Sequence, residues 1–129
     1  VYRDFPLVQI HPSALLASHV GQCSAAQASF WPMHERLFAG AGAGEWGGGP
    51  ADDLPTFLAY ARELGMDSDK LQQCIANNTF APQIEADYRA AEASGVRSTP
   101  SFLVNGKLVV GAQPFDVWKS TLDDLLERQ

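Results

Sequence analysis

The spacing of apolar residues changes twice along the chain. The opening stretch Val1-Tyr2-Arg3-Asp4-Phe5 is β-rich and is stopped by Pro6, so it reads as a strand. His11-Pro12-Ser13 then offers a turn and a helix N-cap. From Ser13 the apolar positions Leu16, Val20, Cys23, Phe30, Met33 and Leu37 recur at helical spacing, with Pro32 as a kink or a junction between two helices. Between Ala39 and Pro50 glycine is so frequent that a helix is not expected, because each one costs about 1 kcal/mol relative to alanine; this reads as a mobile loop. Asp52 or Asp53 is placed to cap a helix carrying Leu54, Phe57, Leu58, Ala61 and Leu64 on one face and ending at Gly65. A second cap at Asp67-Ser68 opens a short helix with Leu71, Cys74 and Ile75 together. Another helix is expected from about Pro82 to Ser94, with Ile84, Tyr88 and Ala91 inward.

After Gly95 the period becomes two. Ser101-Phe102-Leu103-Val104 and Lys107-Leu108-Val109-Val110 flank Asn105-Gly106, the dipeptide preferred in a type I′ hairpin turn. Pro114 opens a terminal helix with Phe115, Trp118, Leu122, Leu125 and Leu126 inward. The expected order is strand, helical block, strand, strand, helix, without an internal repeat.

At 129 residues this fits one domain with a real though small core. A hydrophobic fraction of 46% and a charged fraction of 19% are those of an ordinary soluble globular protein. Fifteen acidic against nine basic residues give a net charge of −6 with no Lys/Arg cluster, which argues against a nucleic-acid partner. No apolar run approaches the roughly 20 residues that span a bilayer. The first residue is Val1, inside a strand-like stretch, so preceding material is expected: a signal peptide, a membrane anchor or a piece of the fold.

Few residues carry obvious chemistry. Gly42-Ala43-Gly44-Glu45-Trp46-Gly47 matches G-x-G-x-x-G but follows a helix rather than a strand, so it reads as a loop and not as a nucleotide cradle. His11, His19 and His34 form no ligand spacing with the cysteines, so neither a metal nor another cofactor is expected. Asn77-Asn78-Thr79 fits a glycosylation acceptor, a short pattern of little weight. Cys23 lies mid-helix on an apolar stripe and Cys74 one turn after Leu71; neither gains a helix N-terminal field or a neighbouring cation, so neither is a good nucleophile. On the residues alone they are two buried thiols or one structural disulfide. A proline at position 100, just before a hairpin strand, must sit at a strand start or edge because it lacks a ladder donor.

The run Gly95-Val96-Arg97-Ser98-Thr99-Pro100-Ser101-Phe102-Leu103-Val104-Asn105-Gly106, with its hairpin and final helix, resembles the second half of a thioredoxin fold. In that fold a threonine and a cis proline face the active site. The opening Val1 to Leu7, then His11-Pro12-Ser13-Ala14, then Cys23 to Phe38, narrow the resemblance to the DsbA-like family, whose members carry a helical domain inserted between a strand and the cis-proline hairpin. The resemblance implies an α/β, thioredoxin-like fold lacking its first βα unit, with residues 1–12 and 95–129 as the thioredoxin-like portion and 13–94 as the inserted helical domain. It implies that Ser98, Thr99 and Pro100 form the substrate-binding loop, that Cys23 and Cys74 form a structural disulfide, and that catalysis belongs to a Cys-x-x-Cys pair preceding Val1, so that no catalytic residue lies within these residues and the chain by itself is inactive.

The activity implied is thiol-disulfide oxidoreduction on exported proteins, with thiol- or disulfide-containing proteins as partners, an extracytoplasmic location, and membrane attachment only through an N-terminal anchor. A redox-inactive peptide-binding module of the same fold is the alternative. A glutathione-using isomerase or transferase relative fits less well, because that branch commonly has valine where Thr99 stands. A sheet missing the strand between Val1–Phe5 and Ser101–Val104 would leave unpaired edges, which implies a homodimer with one of those segments at its interface.

Overall fold

The computed structural model describes residues 1–128 and divides the chain into two compact units, Val1–Ala90 and Ala91 onward. The first unit is a set of helices: α1 (Ala14–Ala25), α2 (Phe30–Gly42), α3 (Pro50–Glu63), α4 (Ser68–Ala76) and most of α5 (Ala81–Ala93). Ala28, at φ 57°, turns the chain between α1 and α2. Pro32 therefore neither kinks a helix nor separates two. It lies in the first turn of α2, where the missing N–H is one that a helix leaves unpaired anyway.

Two expected caps are corrected. Ser13 stands at the start of α1 but makes no cap bond; its hydroxyl donates to the Asp53 carboxylate. Asp53 does not cap α3, which opens earlier, at Pro50. Its buried carboxylate instead accepts from the amides of Gly47 (2.9 Å) and Gly49 (3.3 Å). Burial alone would push this carboxyl up, but the Ser13 hydroxyl and the amides of Gly47, Gly49 and Gly48 bring it below its ordinary value. Asp67, by contrast, caps α4 as the sequence predicts, accepting from Asp69 and Lys70 at 3.1 and 3.0 Å.

The glycine-rich stretch is shorter and better anchored than its composition suggests. Helix α2 runs on to Gly42, the Trp46 indole donates to the Leu37 carbonyl, and Glu45 accepts from the Tyr60 hydroxyl and pairs with Arg36. Tyr60 lies in the core with Val20, Cys23, Met33, Leu37, Phe57, Ala61 and Leu71. Its hydroxyl fills the space a side chain at position 40 would need: a Cβ on Gly40 would lie 2.1 Å from it. The Arg36 guanidinium covers the Tyr60 ring at 3.7 Å, and burial together with the Glu45 bond pushes the phenol up to about 12. A disulfide between Cys23 and Cys74 ties α1 to α4 through this core.

The strand expected at Val1–Phe5 is absent. A strand is stable through its ladder, and no described residue offers this segment one. Side chains hold it instead. Arg3 pairs with the buried Asp87, whose other oxygen accepts from the Asp4 amide at 3.3 Å, and Gln22 donates to Asp4 at 2.7 Å. Phe5 stacks on Tyr88 at 4.5 Å, and Tyr2 meets Phe30 edge-on.

The second unit holds a two-stranded antiparallel sheet, β1 (Ser101–Val104) and β2 (Lys107–Val110), and a final helix α6 (Phe115–Glu127). Asn105 and Gly106 both take positive φ, 48° and 81°, as a type I′ turn demands. Trp118 packs edge-on to Phe102 at 4.6 Å, fastening α6 to one face of the hairpin. The apolar stripe of α6 is wider than that face. Trp118 and Leu125 are half-buried, while Phe115, Leu122 and Leu126, expected inward, are exposed at 77%, 48% and 68%.

Candidate functional site

The loop before β1 is built by the way α5 stops. Gly95, in the left-handed region at φ 89°, lets its own amide and that of Val96 return to the carbonyls of Glu92 and Ala91, each at 3.0 Å. Val96 is buried, and the next residue, Arg97, turns its guanidinium back to the Glu92 and Val96 carbonyls at 2.9 and 2.8 Å. A cation at a helix C-terminus meets the negative end of the helix dipole, so this contact fixes the start of the loop.

Ser98, Thr99 and Pro100 follow on the surface, all exposed. The Ser101 hydroxyl donates to the Ser98 carbonyl at 2.6 Å, and the Thr99–Pro100 peptide bond is cis. The Pro100 carbonyl accepts from the Gly111 amide at 2.8 Å, which continues the hairpin register by one pair.

That bond determines which main-chain groups are free. Residues directly opposite in an antiparallel pair alternate between hydrogen-bonded and non-bonded. With Pro100 and Gly111 bonded, the inward-bonding residues of β1 are Phe102 and Val104, opposite Val109 and Lys107. The N–H and C=O groups of Ser101 and Leu103 then point away from β2, and Thr99, whose main chain has no partner among the described residues, extends the same edge. Among the described residues the result is a short, uncharged strand edge from Thr99 to Leu103 that is unpaired.

The two cysteines do not join this site. Cys23 is buried and Cys74 half-buried in the helical unit, both closed in their disulfide, and no free cysteine occurs among the described residues. No described group of His, Cys, Asp and Glu could hold a metal ion.

A family model described as thioredoxin matches residues 1–124. The chain belongs to the thioredoxin family. Its α-helices and small hairpin sheet are compatible with the α/β architecture of that family. Among curated relatives of this thioredoxin-family chain is a protein named Na(+)/H(+) antiporter NhaA 3 from Salinispora tropica, 36% identical over 109 residues. That match covers 83% of this chain and 15% of the relative. A Na(+)/H(+) antiporter NhaA 1 from Mycobacterium sp. strain KMS is 32% identical over 109 residues, 83% of this chain and 16% of its own length. The chain thus spans about a sixth of the length of such relatives. No solved structure matches.

Two groups of residues escaped the sequence reading. Arg97 is an ordinary surface cation by sequence, and only the return of its guanidinium to α5 shows it anchoring the loop. The buried trio Asp4, His19 and Asp87 is dispersed in sequence. In the folded chain burial raises the Asp4 carboxyl and lowers the His19 imidazole, and His19 Nδ1 has no hydrogen-bond partner among the described residues. An acid next to apolar residues, as in Tyr2-Arg3-Asp4-Phe5, was the available signal.

Proposed function

We propose that this chain is the peptide-docking part of a DsbA-like thiol-disulfide oxidoreductase acting on exported proteins outside the cytoplasm. The observation that carries the reading is the exposed Thr99 edge, unpaired and set immediately before the hairpin of a thioredoxin-family chain. An extended substrate segment would pair with the main chain at Thr99 in the manner of strand addition, holding its cysteine near Thr99 and Pro100. The reacting thiolate would come from a Cys-x-x-Cys unit that these 129 residues do not contain. It would attack a substrate disulfide to give a mixed disulfide and a released substrate thiolate, or run the reverse exchange. The Cys23–Cys74 disulfide takes no part; in an oxidising compartment it would persist as a brace.

The curated relatives favour a second reading. They are named as antiporters and match over about a sixth of their length, as a binding module within a longer protein would. A redox-inactive thioredoxin-fold module would use the same edge without thiol chemistry. Insulin reduction and dithiol-peptide oxidation by the full-length natural protein separate the two readings. Turnover that disappears when its Cys-x-x-Cys is changed to serine supports the oxidoreductase. Peptide binding without turnover, or a full chain with no such pair, overturns it.

A further inference from the structure

Thr99 belongs to neither α5 nor β1, so no helix or ladder bond sets its backbone angles. An exposed loop residue of this kind has several conformations open to it, and holding one of them costs entropy that neighbouring contacts must offset. Three contacts enclose it. On the α5 side one nitrogen of Arg97 donates to both the Glu92 and Val96 carbonyls, at 2.9 and 2.8 Å. On the β1 side the Ser101 hydroxyl donates to the Ser98 carbonyl at 2.6 Å, and the Gly111 amide to the Pro100 carbonyl at 2.8 Å.

The Ser101 contact has a direct geometric effect. In a planar trans peptide the carbonyl and the following N–H point opposite ways, so the hydroxyl that holds the Ser98 carbonyl also aims the Thr99 N–H away from itself. Pairing of β1 with β2 does not depend on this hydroxyl, because the residues bonded across the hairpin are Phe102 and Val104. Arg97 acts one step earlier. Arg3, Arg36 and Arg89 meet carboxylates, whereas the recorded partners of Arg97 are the two carbonyls where α5 ends. Its planar, always charged fork suits the negative end of the helix and sets the direction in which the loop leaves it.

Resting on the reading that substrate pairs with the main chain at Thr99, we infer that Arg97 and Ser101 are positioning residues for that pairing. Both act through Thr99 rather than on the substrate: Ser101 aims its N–H, and Arg97 fixes the path of the loop that presents it. Their effect therefore falls on substrates that use their own main chain, and not on small dithiols that have none.

A nine-residue peptide with two cysteines, and dithiothreitol as a dithiol without a main chain, test this on the oxidised full-length natural protein. In each reaction the two thiols of the reductant close a disulfide, and their two electrons and two protons open the Cys-x-x-Cys disulfide of the protein to a dithiol. Stopped-flow rates over a range of reductant concentrations separate half-saturation from limiting rate. Ser101→Ala and Arg97→Gln are each expected to raise the half-saturating peptide concentration about five-fold, with the limiting rate and the dithiothreitol rate changing less than about two-fold. Arg97→Lys, which keeps the charge and the donors but not the fork, should recover part of the loss. Arg97 is exposed and Ser101 lies outside the core, and thermal melts give the temperature below which each variant is folded and compared. An unchanged half-saturation, or equal losses with peptide and dithiothreitol, overturns the assignment of the residue concerned and leaves the oxidoreductase reading intact. Wild-type protein that fails to oxidise the peptide removes the docking reading itself, and the inference with it.

Discussion

Opening the Cys23–Cys74 cross-link should remove a large part of the stability of the helical unit. The bridged residues are 51 apart in sequence, so the bond closes a long loop in the unfolded chain while joining helices the core already holds together. In the chain-entropy model a loop of that length restricts the denatured ensemble by about 14 cal/mol/K, or about 4 kcal/mol at 25 °C. Domains of this size are stable by about 5–15 kcal/mol, so the loss would be decisive rather than incremental. Comparing oxidised with reduced wild-type protein isolates the cross-link, since no atoms leave the core; Cys74 is half-buried, not sealed, which gives a reductant access. Urea unfolding followed by circular dichroism, with a slope of about 2 kcal/mol/M, should show the midpoint falling by about 2 M on reduction. The Cys23→Ala/Cys74→Ala variant should unfold at or below the reduced protein, because alanine also leaves a small void beside Val20 and Met33. A midpoint change under about 0.3 M on reduction would refute the entropic argument. Two alkylatable thiols in protein never exposed to reductant would remove its premise.

Two further perturbations probe the core and the loop anchored to it. Gly40→Ala places a methyl 2.1 Å from the Tyr60 hydroxyl and should cost about 1–3 kcal/mol. Adding Tyr60→Phe should recover part of that loss, so strict additivity in a double-mutant cycle would contradict the contact. Asp53→Asn should destabilise by about 2–3 kcal/mol at pH 7, because an amide replaces a buried anion that accepts from Ser13, Gly47 and Gly49. Since the folded Asp53 carboxyl is held below its unfolded value near 4, its contribution is full above that pH and is lost as pH falls through the folded value. Urea curves at pH 7, 5 and 3 should show the gap between wild type and variant shrinking only at the lowest pH; a constant gap would contradict the assignment.

Local patterns determined what depends on local physics. The 3.6 period of Leu16, Val20, Cys23, Met33 and Leu37 is enough to specify helices with a buried stripe, whatever lies opposite. Asp67 announces α4 because a cap is made within three residues, and Asn105-Gly106 announces the hairpin because its backbone angles are set by those two residues. The position of Thr99 and Pro100 before a strand, the core of the candidate site, was legible for the same reason.

What only the tertiary structure decided concerns partners distant in sequence. Val1–Phe5 has strand composition, yet a strand is a relation between two segments, and Asp87, Gln22 and Tyr88 bind this one through side chains instead. Ser13 and Asp53 each look like helix caps and satisfy each other across 40 positions, a pairing no local rule ranks above a cap. The stripe of α6 could be read, but not how little of it a two-stranded hairpin covers, because burial depends on the area of the facing surface. Arg97 became meaningful only when the fold returned its guanidinium to the end of α5, at the start of the loop that leads into β1.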